Sequence, residues 1–202
     1  MHSRLKFLIR AHLRKSAASL TRFLKVRYLM QALTRTEAMD WLSRAGIVCD
    51  AKGDLAFGKG RNRVIAVPLP DKAYRLPYLA NLLVTGVSDT PFGESLLWFT
   101  GWGVAGEVSN RVGFKLLQSM HSDTRPLIEA PARLLGAHEV VEAQSLLTLS
   151  ILMGWDAYFI PATGKYFIFN SNDEFTDVVS SDDATHQRFL AALKDDWGGQ
   201  EW

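Results

Sequence analysis

The stretch GWDAYFIPATGKYFIFNSNDEF (Gly154–Phe175) decides the fold that this sequence predicts. Two runs rich in Tyr, Phe and Ile, residues 156–160 and 165–169, flank Pro161-Ala162-Thr163-Gly164, a composition typical of a β-hairpin. Both runs are apolar at consecutive positions, so both faces of the hairpin need cover. We therefore predict an α+β fold with a mainly antiparallel sheet of about five to six strands, a central hairpin (156–169) and packed helices.

Apolar residues at helical spacing precede and follow this hairpin. Residues 138–153 are predicted to form a helix that ends at Gly154 and leads into the hairpin. After the hairpin, Asn170-Ser171-Asn172 is expected to cap another helix, with Asp173 and Glu174 in its first turn. The other predicted elements are helices through 38–45 (capped by Thr34 or Thr36), 76–84, 105–120 and 182–195 (capped by Ser180 or Ser181), and strands at 47–49, 55–57, 64–67 and 95–100.

The composition fits one globular unit. Of the 202 residues, 48% are hydrophobic and 22% are charged, which is ordinary for a domain with its own core. The lone Cys49 cannot form an internal disulfide, and no apolar run reaches the roughly 18 residues that span a bilayer. We expect a single α+β domain over 31–202, with no transmembrane segment and a cytoplasmic location; a membrane-peripheral position is the alternative.

The charge is unevenly distributed along the chain. Residues 1–36 contain nine Lys or Arg and no acid, whereas the rest of the chain has 14 basic and 21 acidic residues. Apolar residues recur at helical spacing from Leu5 to Leu24, which predicts a basic amphipathic helical arm over 1–30. Through residues 4–27 this arm is expected to contact a partner, nucleic acid or an anionic membrane surface, with Arg10, Arg14, Lys15 and Arg22 as binding residues.

Three other interpretations of the arm stay open. Its basic side chains can form a solvated face on a helix that docks by its leucines. Its Arg-rich, acid-free composition also suits an organellar presequence. Finally, translation from Met30 would leave the arm without a function.

Four sequence blocks resemble those of a group of small uncharacterised bacterial proteins. The blocks are LLWFTGWGVAGE (Leu96–Glu107), LIEAP (Leu127–Pro131), GWDAYFIP (Gly154–Pro161) and SNDEF (Ser171–Phe175). The resemblance covers roughly residues 65–175 and leaves out the basic arm. Asn172 stands where the group usually has His, and the group has no known activity, so the resemblance implies a bacterial protein without indicating its chemistry.

Two patterns suggest catalysis. His138 and Glu142 are spaced one helical turn apart, as two metal ligands would be, but the second histidine of a zinc-protease helix is missing. If carboxylates gathered at one end of the sheet, they would suit metal-assisted hydrolysis. The candidates for that cluster are Glu107, Glu129, Asp156 and Asp173. Helix capping and strand ends also explain acids at such positions.

An aromatic binding face is the remaining candidate. Trp98, Trp102 and Tyr158 can form it, although core packing competes for the same side chains. With the acidic pair Asp173 and Glu174, these residues favour a non-enzymatic protein-interaction module, an adaptor or an immunity-like binding protein, with no cofactor and with self-association as a further expectation. The alternatives are a metal-assisted hydrolase and a protein that binds nucleic acid through the arm.

Overall fold

The structure is a computed structural model that describes residues 30–50, 53–58, 62–85, 92–101, 112, 113, 115, 125–171 and 175–197. It confirms an α+β fold with a large antiparallel sheet. The strands are β1 (Gln31–Leu33), β2 (Ile47–Cys49), β3 (Leu55–Phe57), β4 (Arg63–Pro68), β5 (Ser95–Gly101), β6 (Ala132–Leu135), β7 (Asp156–Pro161), β8 (Tyr166–Asn170) and β9 (Phe175–Ser180). The main sheet has seven strands in the order β1-β6-β5-β7-β8-β9-β4, more than the five to six predicted, while β2 and β3 form a separate hairpin.

Four α-helices lie in the described part of the chain. They are α1 (Arg35–Arg44), α2 (Leu76–Thr85), α3 (Val140–Leu152) and α4 (Asp183–Trp197), and a short 3₁₀ turn (Ala73–Arg75) precedes α2. Thr34 caps α1 as predicted, because its side chain accepts the Glu37 N–H while the Glu37 carboxylate accepts the Thr34 N–H. Residues 1–29, where the basic arm was predicted, lie outside the described residues.

The predicted hairpin is present at the centre of the sheet. β7 and β8 pair antiparallel with Tyr158 opposite Phe169, and the Gly164 N–H donates to the Pro161 carbonyl across the turn. Consecutive hairpin residues face opposite sides of the sheet. Phe159 packs on the side covered by α2, α3 and α4, and Phe167 on the side covered by α1 and the β2–β3 hairpin. The sheet is therefore the middle layer of three.

The helix predicted after Asn172 is wrong. Residues 175–180 form β9, which pairs with both β8 and β4. Asn170 does not cap a helix: its buried amide donates to the Trp155 carbonyl at 2.8 Å, and its oxygen accepts the Thr176 hydroxyl at 3.0 Å. Because this network fixes the β8 end against β9, the polar sequence that resembles a helix cap is a connection between strands.

Two smaller corrections concern helix starts. Ser180 belongs to β9, and Asp182 caps α4 instead, with its carboxylate accepting the Thr185 N–H at 2.8 Å. The helix predicted from His138 begins at Val140, so His138 precedes its first turn. Most of the helix predicted over 105–120 lies outside the described residues.

Candidate functional site

Three of the predicted site residues meet at one end of the sheet. Trp98 on β5 lies directly opposite Tyr158 on β7, while Asp156 lies opposite Gly101. All three residues border a 430 Å³ cavity, called here the sheet-end cavity. Its other lining residues are Arg35, Gly53, Asp54, Phe99, Thr100, Ile128, Pro131 and Phe169. Trp102, Asp173 and Glu174 lie outside the described residues.

The floor of the sheet-end cavity is aromatic and neutral. Trp98 and Tyr158 are only 3% and 4% exposed, and the Tyr158 ring stacks on Phe169 with their centroids 4.5 Å apart. Burial raises the pKa of Tyr158 to about 12, the negative charge of Asp54 adds to the rise, and a backbone hydrogen bond with Leu55 opposes it. The phenol is therefore uncharged at neutral pH. Most of the surface of both rings is already used in core packing.

Asp156 is held close to the backbone of β5. The register of β5 against β7 shifts between Phe99 and Gly101, and a side chain at position 101 would collide with the Asp156 carboxylate. Glycine at this position therefore leaves room for the carboxylate at the cavity wall.

The other predicted catalytic residues do not join this cavity in the described part of the chain. Glu129 is exposed and is not among the lining residues, and Glu107 lies outside the description. His138 is exposed and Glu142 is half-buried. Among the described residues, no group of three or more His, Cys, Asp or Glu side chains could hold a metal ion. The hydrolase and metal-binding hypotheses stay predictions.

A larger cavity, of 640 Å³, lies away from these residues on the outer side of α2. The residues that line this cavity are called here the tyrosine surface. They are Asp71, Lys72, Tyr74, Arg75, Tyr78, Asn81 and Leu82. Tyr74 is 70% exposed and Tyr78 is 72% exposed. Leu79 and Leu83 of the same helix are fully buried, so α2 is anchored by one face and presents the other.

The base of the tyrosine surface is fixed by a contact between two helices. The Gln144 side-chain amide on α3 donates to the Asn81 side-chain oxygen on α2 at 2.7 Å. Asp71 and Lys72 add exposed charges of both signs at the rim. The arrangement provides a rigid helical support, two projecting aromatic rings and a polar rim, which are properties of protein-binding surfaces.

Tyr74 and Tyr78 are not among the site residues predicted from the sequence. The available signal was their spacing of four residues, which would place them on one face if the helix began before Tyr74; in the structure Tyr74 lies in the 3₁₀ turn that leads into α2. Both fall outside the stripe formed by Leu76, Leu79 and Leu83, and this position predicts an outward orientation.

Comparison of the chain with protein-family models, with curated protein sequences and with solved structures gave no match. Across the described residues, none of the helices combines the length and the apolar character needed to cross a membrane.

Proposed function

We propose that this protein is a protein-binding module whose tyrosine surface contacts the partner. One observation carries the proposal: Tyr78 on the anchored helix α2 and Tyr74 on the 3₁₀ turn before it each leave about seven tenths of their surface exposed. Large aromatic side chains are usually buried, and exposed pairs of this kind are favoured at interfaces.

The physical basis is the character of the tyrosine side chain. Its ring offers a large apolar area, its hydroxyl satisfies a hydrogen bond, and its two side-chain torsions lose little entropy when fixed. Burying one such ring against a partner contributes on the order of 1.5–3 kcal/mol. A partner with an apolar centre and hydrogen-bonding groups around it would complement this surface.

The sheet-end cavity is a weaker candidate for the main contact. Trp98 and Tyr158 have little free area, and the exposed large apolar side chain among the lining residues is Ile128, which is 78% exposed. The basic arm enters this proposal only through its sequence, which favours attachment to an anionic surface or partner.

The proposal is tested by affinity capture with the full chain, followed by mass spectrometry of the retained proteins. Three baits are compared: the unchanged protein, the double variant Tyr74→Ala/Tyr78→Ala, and Ile128→Ala as a control with a similarly exposed apolar side chain. We expect a partner that the unchanged protein and Ile128→Ala both retain, and that the double variant binds about tenfold more weakly in a subsequent titration.

Two results would contradict this assignment. Equal binding by all three baits would remove the tyrosine surface from the interface, and loss only in Ile128→Ala would move the contact to the sheet-end cavity. Capture of nucleic acid that disappears with rising salt would favour the function predicted for the arm.

A further inference from the structure

The two edges of the seven-stranded sheet differ in how they are protected. β1 is three residues long, and the Ala32 carbonyl on it accepts a hydrogen bond from the Arg125 guanidinium at 2.9 Å. β4 is six residues long, and within the described part of the chain its backbone is hydrogen-bonded only to β9. Every second residue of an edge strand turns its N–H and C=O groups away from its neighbour. Among the residues that the structure describes, none covers the outer edge of β4, which there presents an open row of backbone groups.

The side chains of β4 do not block this edge. Its single charged residue, Arg63, forms an ion pair with Asp183 at 2.5 Å. Ile65 and Val67 are buried under the helices, whereas Val64 is 54% exposed and Ala66 is exposed on the opposite face. Natural edge strands are commonly protected by lysines, bulges or very short length. β4 carries a charge and a proline, which also protect edges, only at its two ends, Arg63 and Pro68. Residues 64–67 between them include no charge and no bulge, and those on the outer face are apolar.

We propose that β4 is a self-association site, where a second copy of this chain adds its own β4 in antiparallel orientation. The free N–H and C=O groups along a strand edge are satisfied by another extended chain segment that pairs with them. The ladder is expected to span residues 63–67 of both copies, because Pro68 has no N–H to contribute. Antiparallel pairing of this segment with itself places the two-fold axis at Ile65.

This register is self-complementary. Val64 of one copy lies opposite Ala66 of the other, so the exposed apolar residues become cross-strand neighbours. Arg63 lies opposite Val67 of the second copy, so no like charges face each other. A single strand pair buries less area than the roughly 1,200 Å² typical of stable complexes, and the association is therefore expected to depend on concentration.

Sedimentation of the full chain over a wide concentration range tests the proposal. The unchanged protein should dimerise reversibly, and Val64→Lys should raise the dimer dissociation constant by about tenfold or more, because two added charges flank the ladder. Val48→Lys is the matched control, since Val48 is 53% exposed on another strand, β2. A protein that stays monomeric throughout, or equal effects of the two lysines, would overturn the proposal.

Cross-linking tests the register independently of any loss of folding. In a Cys49→Ser background, chains carrying Val64→Cys are mixed with chains carrying Ala66→Cys under mild oxidation. The proposed register brings these two cysteines together between copies, so the mixture should form a disulfide-linked dimer faster than either variant alone. Equal cross-linking of each variant with itself would reject this register, and absence of cross-linking would reject the strand pair.

Discussion

The buried carboxylate of Glu139 accepts a hydrogen bond from the backbone N–H of Met30, with a distance of 2.6 Å between the two atoms. Its second oxygen accepts the Gly136 N–H at 2.7 Å. Met30 directly precedes β1, and Gly136 directly follows β6, the strand with which β1 pairs. One side chain at the start of α3 therefore joins the two strands at one end of the pair, where β1 begins and β6 ends.

We predict that Glu139→Ala lowers the free energy of unfolding by about 1–3 kcal/mol for each amide left without its acceptor. Glu139→Gln should lose less, because the amide oxygen can still accept one of the two hydrogen bonds. Glu142→Gln, in the first turn of the same helix, is the control. Chemical denaturation compares the variants; if Glu139→Ala were as stable as the control, the two hydrogen bonds would contribute little.

Phe167 is the residue whose loss should damage the hairpin most. Its ring centroid lies 5.2 Å from that of Phe57 and 5.9 Å from that of Tyr158, and the side chain is buried. Phe167→Ala should cost about 3–5 kcal/mol, because a cavity forms between the sheet and the β2–β3 hairpin. Phe175→Ala removes the same group from an exposed position and should cost far less. Similar midpoints of denaturation for both variants would contradict this account.

Tyr158 should make the protein less stable in alkaline solution. An unfolded tyrosine ionises near pH 10, whereas burial raises the pKa of Tyr158 to about 12. Between these values the unfolded chain releases a proton that the folded chain keeps, so the free energy of unfolding falls as the pH rises. Below pH 10 this contribution to stability is fully present.

Replacing Tyr158 with Phe should make the decline between pH 10 and 12 shallower. Denaturant unfolding at a series of pH values measures the slope for both proteins. Burial also raises the pKa of Tyr166, so a smaller slope persists in the Tyr158→Phe variant. Parallel slopes in the two proteins would show that Tyr158 ionises equally in both states.

Substitutions at two glycines measure the cost of backbone strain with and without an added steric collision. Gly154 and Gly164 both have positive φ, of 62° and 60°, but only at Gly164 would an added Cβ meet another atom, the Ala45 carbonyl oxygen at 2.6 Å. Gly154→Ala should cost about 1 kcal/mol from the left-handed conformation alone. Gly164→Ala should cost clearly more, because the turn must also move away from the end of α1. Equal losses in thermal unfolding would mean that this contact relaxes freely.

Asp182 and Asp183 are neighbours with different roles at the start of α4. The Asp182 carboxylate caps the helix, and the backbone hydrogen bond from Thr185 holds the pKa of Asp182 below its usual value. Asp182→Ala should cost about 0.5–2 kcal/mol, as other N-cap replacements do. Asp183→Ala breaks an exposed ion pair with Arg63 and should cost about 0–1 kcal/mol.

The pH dependence of the unfolding free energy provides a second test of the Asp182 cap. The pKa of Asp182 is lower in the folded chain than in the unfolded chain. The stabilisation that this carboxylate provides is therefore present above the unfolded pKa, and it is lost as the pH falls through the folded pKa. The stability difference between the unchanged protein and Asp182→Ala should therefore shrink in acid. A constant difference from neutral to acidic pH would contradict the capping role.

The sequence predicts those helices and strands that have a long run of apolar residues at regular spacing or a recognisable capping residue at one end. The stripe of leucines in α2 and the Thr34 cap of α1 mark their helices, and the consecutive aromatics of β7 and β8 indicate a strand pair covered on both faces. β6 was missed because it has only four residues and includes Arg133, which is buried and donates to the Ala130 and Ala132 carbonyls. A charge inside a short run resembles a loop.

The candidate sites were harder to predict because they depend on register and exposure. Trp98 and Tyr158 share one face through the pairing of β5 with β7, and a slip of one residue would send one of them to the other face. That pairing joins segments far apart in sequence. Helical spacing likewise places Tyr74 and Tyr78 on one face of a helix, but whether that face is covered depends on which other elements pack there.

The strand order also has a consequence for synthesis of the chain on the ribosome. β4 is translated long before β9, the strand that pairs with it, and β1 long before β6. Contacts between such distant segments slow folding. The sheet can be completed only when β9 (Phe175–Ser180) has emerged, and until then residues 63–68 lack the strand that pairs with them in the described part of the chain. Until β9 is available, β4 is a strand without its neighbour on either side, so the interval between the synthesis of the two strands is when residues 63–68 are most open to pairing with another chain.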